Sequence, residues 1–511
     1  MAKRVKAWFT YKNTLLAVLA LIFFFFLRWN SFTTPFERDE GEYAYSAWIL
    51  RQGTMPYQNS FLQKSPMIVY SYTFSQIVFG DNLWGPRLLA SVFILLTSVF
   101  VYKITEQKIS QDTGWVAVFI FLAMVSSPIN ASLAANTEVF MILPLTIFYY
   151  LYNKKITGRK SLYWVFAGIC SSLALWYKPI CLLVLGFIYI LWLIKIYKEE
   201  RKEIFRFLGF SVFGFGASSL IIFLPFLGII KYLWEEVVVF NGLYAKHWGV
   251  SPRYLWLNLG RMWTSFWIVY LLVFVYFFLR PKGWKEFLGI LIFSILAVFQ
   301  TTIRHYYILL VPFLSVICTI TLFALSRKYF SGGKIALMLA VFLFAFIFPV
   351  RNGIFLTPQD LNIWVYGAKN PFGESVQISK KIREVTKEGD SIFIAGSEPQ
   401  IYYYSKRKAS NRFVITYPFI IKTGLRPIYQ EEATEALEDN LPQAIVYSNL
   451  SESGFWDDTS PTLLRDYMDG LVKEKYKVVG GFVWEKGRGV WKDVLSKSEA
   501  DSIDLILYVK K

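Results

Sequence analysis

Leu15-Leu-Ala-Val-Leu-Ala-Leu-Ile-Phe-Phe-Phe-Phe-Leu27 is an unbroken apolar run, closed by Arg28-Trp29-Asn30 and followed by Arg38-Asp-Glu-Gly-Glu-Tyr43. With its flanks (13–29) the run approaches the length of a bilayer crossing. Lys3, Arg4 and Lys6 give it the basic start of a signal peptide, but no small-residue cleavage site follows. The reading is a retained first span. Adjacent carboxylates directly beyond a span, Asp39 and Glu40, mean either a solvated loop or a site at the bilayer surface.

The same apolar character recurs along the chain. Hydrophobic residues make up 55% and aromatics 19% of 511 residues, well above soluble usage, and they come in long blocks. This predicts a multi-spanning α-helical membrane protein. The net charge of +18 sits largely in short connections between blocks, where the positive-inside bias places it. It is read as topology, and no nucleic-acid partner is expected. Cys170, Cys181 and Cys318 all fall inside apolar blocks and read as packing residues. With His247 and His305 as its two histidines, the chain excludes a histidine-rich metal site. No Gly-x-x-x-x-Gly-Lys-Ser/Thr, His-Glu-x-x-His or Cys-x-x-Cys pattern occurs. Gly214-Phe-Gly216, inside an apolar block, reads as close helix packing.

Candidate spans are 13–29, 84–103, 114–130, 137–152, 162–177, 179–196, 207–230, 262–279, 286–301, 306–325 and 334–350, about eleven in all. With a cytoplasmic N-terminus, the basic runs Asn153–Lys160 and Lys195–Lys202 both fall inside. The expectation is a plasma (inner) membrane protein whose membrane domain covers 1–350 and whose tail, 351–511, lies outside. The first external loop, 30–83, is too long for a turn. Within it 41–50 has helical character, and Pro66–Phe79 reads as an interfacial or re-entrant helix. Segment 231–261, rich in Trp and Tyr, reads as interfacial. In the tail, helices are expected at 374–388 and 398–405. Strands are expected at 391–395, 413–416, 444–448, 476–479 and 482–484, giving a soluble α/β domain.

On this topology Asp39, Glu40, Lys64, Arg87, Glu138, Lys178 and Arg304-His305-Tyr306 share the outer face. Cations there can hold phosphate oxygens through charge-assisted bonds, and a carboxylate can deprotonate an acceptor. Each residue also has a plain reading. Asp39-Glu40 suits the acidic first turn of a helix. Lys64, Arg87 and Lys178 suit snorkelling side chains, and Arg87 equally suits holding the loop to the span. Glu138 suits a capped helix start. Arg304 and the tyrosines suit a headgroup belt. Their fall on one face favours a site for a phosphate-bearing lipid.

Arg38-Asp39-Glu40-Gly41-Glu42-Tyr43-Ala44, Lys64-Ser65-Pro66 and Gly85-Pro86-Arg87 resemble the opening of the GT-C glycosyltransferases. More narrowly, they are similar to the branch of bacterial aminoarabinose transferases of lipid A and protein O-mannosyltransferases. Asn136-Thr-Glu138 resembles that family's second acidic motif, Lys178 its donor-phosphate base, and Arg304 to Pro312 its polar-aromatic step before a late span. Ser65 replaces the first Pro of the common Lys-Pro-Pro. The tail departs from the β-trefoil of eukaryotic protein mannosyltransferases and suits a bacterial branch.

The resemblance implies a GT-C-like fold and inverting transfer from a polyprenyl-phosphate sugar to a lipid, glycan or protein acceptor at the outer face. Asp39 would be the general base, with Glu40 beside it. Lys64, Arg87, Lys178, Arg304, His305 and Tyr306 would serve the donor phosphate, and Glu138 and Tyr43 would position acceptor or sugar. A divalent ion is optional, with Asp39 and Glu138 as its ligands. The alternatives are a polyprenyl-lipid flippase that binds a lipid phosphate without catalysis and a non-catalytic scaffold. Few polar residues mid-span argue against the flippase.

Overall fold

A computed structural model describes residues 2–154, 159–248, 251–299, 301, 303–329, 334–454, 456, 458–493 and 503–511. Parts of the basic run Asn153–Lys160 and of segment 231–261, and the end of the expected span 286–301, lie outside the described residues. The chain forms two compact units. One contains Met1–Phe32, Arg87–Phe223 and Val250–Leu356; the other contains Thr33–Pro86, Leu224–Gly249 and Thr357–Lys511.

The first unit is helical. A helix stands at each stretch read as a span, including Ala2–Arg28, Trp84–Lys108, Gln111–Val125, Thr137–Asn153, Lys160–Tyr177, Leu182–Glu200 and Ile204–Phe223. Pro252–Leu279, Trp284–Val298, Val311–Tyr329 and Ile335–Ile347 complete the set. Among the described residues, six stretches are long and apolar enough to cross a membrane, one of them the 69-residue Pro179–His247. The helix read from 262 begins at Pro252, because Ser251 caps it by accepting from the Arg253 N–H and proline suits a first helical turn. Lys178-Pro179 does end one helix. Lys178 is extended (φ −156°, ψ 116°), as a residue before proline prefers.

Helices Lys160–Tyr177 and Ile204–Phe223 touch through glycines. A Cβ added at Gly168 would collide with the Ser211 carbonyl, and one at Gly214 with the Val165 carbonyl, whereas Gly216 faces open space. Close packing was expected of both glycines in Gly214-Phe-Gly216; it holds for Gly214 alone.

The second unit combines helices with a six-stranded sheet. The strands are β1 (Ser391–Ala395), β2 (Lys408–Ala409), β3 (Ala444–Ser448), β4 (Tyr476–Glu485), β5 (Arg488–Asp493) and β6 (Leu505–Lys510), in the order β2-β1-β3-β6-β4-β5. β1 runs parallel to β2 and β3, and the other pairings are antiparallel. Two expectations need correction. Residues 413–416 form no strand: Val414 N–H bonds back to the Arg412 carbonyl, so the backbone turns. The two short strands at 476–479 and 482–484 are one strand with an irregularity between Val478 and Gly480, where an extra residue is absorbed.

The same unit holds the helix Arg38–Arg51, which starts three residues before the expected 41–50. Glu37 caps it, accepting from the Asp39 and Glu40 N–H groups. Burial, then the Asp39 and Glu40 charges, push the Glu37 carboxyl well above the usual range. The turn after β1 clamps this helix start. Arg38 donates to Ser397 O (2.8 Å), Asn370 Oδ1 (2.5 Å) and fully buried Glu398 (2.7 Å). The other Glu398 oxygen accepts from Gln400. Gly41 makes the approach sterically feasible, since a Cβ there would stand 2.6 Å from the Gln400 nitrogen.

Two predictions follow from this packing, both read by thermal unfolding in detergent. Gly168→Val and Gly214→Val should each cost about 1–3 kcal/mol, while Gly216→Ala leaves the midpoint unchanged. Arg38→Ala should cost about 3–5 kcal/mol by stranding a buried carboxylate, and the double change Arg38→Met with Glu398→Leu should recover most of that loss.

Candidate active site

Asp39 and Glu40 occupy the first turn of Arg38–Arg51, where carboxylates favour the positive end of the helix. Their surroundings differ. Glu40 is fully buried, which rules out a solvated loop at that position. The Asp39 side chain keeps 23% of its exposure and lies 3.6 Å from the Lys64 ammonium, itself 10% exposed. Lys64 directly precedes the helix Pro66–Phe79, with Ser65 as N-cap and Pro66 at the first helical position. The Lys-Ser-Pro step thus ends the loop and sets Lys64 against Asp39. Tyr43 is fully buried, its ring edge-on to Tyr72.

Sequence reading missed three neighbours in this unit. Glu42 is buried at 2% exposure. Tyr417 feels the charges of Arg38, Asp39, Lys64 and Glu42, and burial pushes its phenol up to about 12. Arg38 was quoted in the opening motif without a role, and it anchors the helix. The Arg38 motif was a usable signal. Tyr417, far along the chain, offered none.

The first unit carries a second cluster. Glu138 opens the helix Thr137–Asn153 and is fully buried. Lys178 Nζ lies 3.1 Å from Glu138 Oε1, and His305 Nε2 lies 3.9 Å from the same oxygen. The Lys178 ammonium also stands 4.3 Å from the Tyr306 ring centre, a cation–π contact. Four residues singled out from sequence thus meet: Glu138, Lys178, His305 and Tyr306. Two others are engaged with backbone. Arg87, 2% exposed, donates to the Ser31 carbonyl at 2.9 Å. Arg304 donates to the Ile129 carbonyl at 3.0 Å. Arg28, overlooked in sequence, donates to the carbonyls of Val125, Ser132 and Leu133, tying down the turn that leads to Glu138.

Chemically, these clusters supply a partly exposed carboxylate with an adjacent ammonium, and a buried carboxylate with an ammonium, an imidazole and a phenol. A divalent ion fits them poorly. Among the described residues no three His, Cys, Asp or Glu side chains gather as a cation site. Asp39 and Glu138 each already face a lysine.

Comparison with known proteins agrees with this architecture. A family model described as dolichyl-phosphate-mannose-protein mannosyltransferase matches residues 63–229. An uncharacterized protein of Aquifex aeolicus (strain VF5) is 26% identical over 427 residues, covering 80% of this chain and 88% of its own. The crystal structure of ArnT from Cupriavidus metallidurans in the apo state superposes with a TM-score of 0.59 at 12% identity, covering 94% of this chain and 97% of that one. The same protein bound to undecaprenyl phosphate gives 0.57, also at 12% identity, with 94% and 98% covered. The apo oligosaccharyltransferase of Archaeoglobus fulgidus gives 0.51 at 13% identity, covering 98% of this chain and 76% of that one. The chain is a multi-span membrane protein with the fold of ArnT, and over residues 63–229 it resembles the dolichyl-phosphate-mannose-protein mannosyltransferase family.

Proposed function

We propose that the protein is an inverting glycosyltransferase that uses a polyprenyl-phosphate sugar as donor and acts at the outer face of the plasma membrane. The observation that carries this reading is the Asp39–Lys64 pair, a part-exposed carboxylate 3.6 Å from an ammonium on a clamped helix start. Asp39 takes the proton of an acceptor hydroxyl or amine as that group attacks the anomeric carbon. A new bond forms at that carbon with inversion, the bond to the phosphate oxygen breaks, and polyprenyl phosphate leaves with the electron pair. Lys64 neutralises the developing phosphate charge. Preorganised cations are effective here because they are fixed before the charge develops.

In the first unit Lys178, held between Glu138 and Tyr306 with His305 beside it, is a second cation suited to a lipid phosphate. Glu138 then orients Lys178, and Glu40 supports the helix start. The backbone bonds of Arg87 and Arg304 suit them to holding segments of the first unit together. The undecaprenyl phosphate held by ArnT supports a lipid phosphate as the leaving group.

The test is transfer by purified full-length protein from radiolabelled undecaprenyl-phosphate hexoses and pentoses. Asp39→Asn should lower kcat by about 10²–10⁴-fold with unchanged elution in detergent; retained activity removes Asp39 as the base. Lys64→Ala and Lys178→Ala should raise the KM for donor more than that for acceptor, and the opposite pattern removes them from the phosphate role. Lipid scrambling without release of sugar would identify a transporter instead.

A further inference from the structure

Lys64 sits at the end of a loop whose preceding backbone is held by an ionic knot that the chemistry above does not use. Arg412, 7% exposed, reaches three carboxylates. Its guanidinium is bidentate to Glu432 (2.6 and 2.9 Å) and donates to Glu236 at 2.7 Å and Glu235 at 2.9 Å. The planar fork of arginine can satisfy this many oxygens at once, and a lysine ammonium cannot.

The knot grips the loop through backbone atoms. The second Glu236 oxygen accepts from the Leu62 N–H at 2.7 Å. The Phe61 N–H donates to the Arg412 carbonyl at 2.6 Å. Asn241, one turn beyond Glu236, donates to the Gln63 carbonyl at 2.7 Å, and the Tyr57 hydroxyl donates to the Lys64 carbonyl at 2.9 Å. Each residue from Phe61 to Lys64 therefore has a backbone atom tied down. Phe61 adds an apolar pin, with its ring against Phe240, Phe413 and Tyr429. Glu236 is fully buried and takes one bond from each side, so it links the Arg412 charge to the loop.

We propose that Arg412, Glu236, Asn241 and Tyr57 are positioning residues that set the Lys64 ammonium for the donor phosphate. This inference rests on the phosphate role given above to Lys64. The physical case is entropic: a flexible four-carbon side chain binds an anion better when its backbone is already fixed. In this view the tail domain contributes to donor recognition through Arg412 without touching the donor.

The experiment measures binding of radiolabelled undecaprenyl phosphate to the full-length protein in detergent. Tyr57→Phe keeps the ring and removes only the bond to Lys64, so folding should be preserved. Its Kd should rise about two- to tenfold, the span of one hydrogen bond, with unchanged elution in detergent. Glu236→Gln should weaken binding at least as much. In a Lys64→Ala background, Tyr57→Phe should add nothing, because positioning acts through the lost group. Wild-type affinity in Tyr57→Phe, or a loss that adds fully to that of Lys64→Ala, overturns the inference while leaving Lys64 its role. Unchanged binding in Lys64→Ala itself overturns the phosphate reading and the inference together.

Discussion

A carboxylate withdrawn from water needs a counter-charge, because burying it alone costs far more than the fold can spare. That constraint organises this protein. Glu138 lies 3.1 Å from Lys178, Glu398 lies 2.7 Å from Arg38, and Glu236 lies 2.7 Å from Arg412. All three carboxylates are fully buried. Asp39 differs. It is part-exposed, and its cation stands further off, at 3.6 Å. The Glu398–Arg38 and Glu236–Arg412 pairs hold chain segments together, whereas the Asp39 side chain keeps 23% of its exposure.

Within the second unit the tail domain reaches both segments that carry the Asp39–Lys64 pair. The turn after the first strand, Gly396–Pro399, fixes Arg38 and with it the start of the Asp39 helix. The segment after the second strand supplies Arg412, which fixes the loop leading to Lys64. A domain that looks like an appendage in the order of the chain is thus part of the support of the Asp39–Lys64 motif. Its removal would leave Glu236, buried, without the guanidinium that balances it.

The places where sequence reading failed each have a local physical cause. Phe413-Val-Ile-Thr416 has the β-branched composition of a strand, yet the neighbouring Arg412 is committed to three carboxylates and the backbone turns back on itself. Gly480-Gly481 reads as a break between strands, but pairing with Leu505–Lys510 carries the strand through it. The helix over 38–51 was given the bounds 41–50, with Asp39-Glu40 as its acidic first turn, and its cap, Glu37, is not among the strongest capping types.

Apolar blocks of near-spanning length, the basic connections between them and the polar motifs at their ends were legible in the sequence alone. Length and polarity decide what a bilayer tolerates, and neither needs a partner. The same local information singled out Asp39, Lys64, Glu138, Lys178, His305 and Tyr306 as residues out of keeping with their surroundings. Tertiary structure decided which of them meet. It set Lys64 beside Asp39 and gathered Lys178, His305 and Tyr306 about Glu138, but turned Arg87 and Arg304 toward backbone carbonyls. It also recruited Arg412, Tyr417 and Glu398 from far along the chain. The physical reason is that charge pairing acts through space over a few ångströms, and the distance in sequence between two residues says nothing about it.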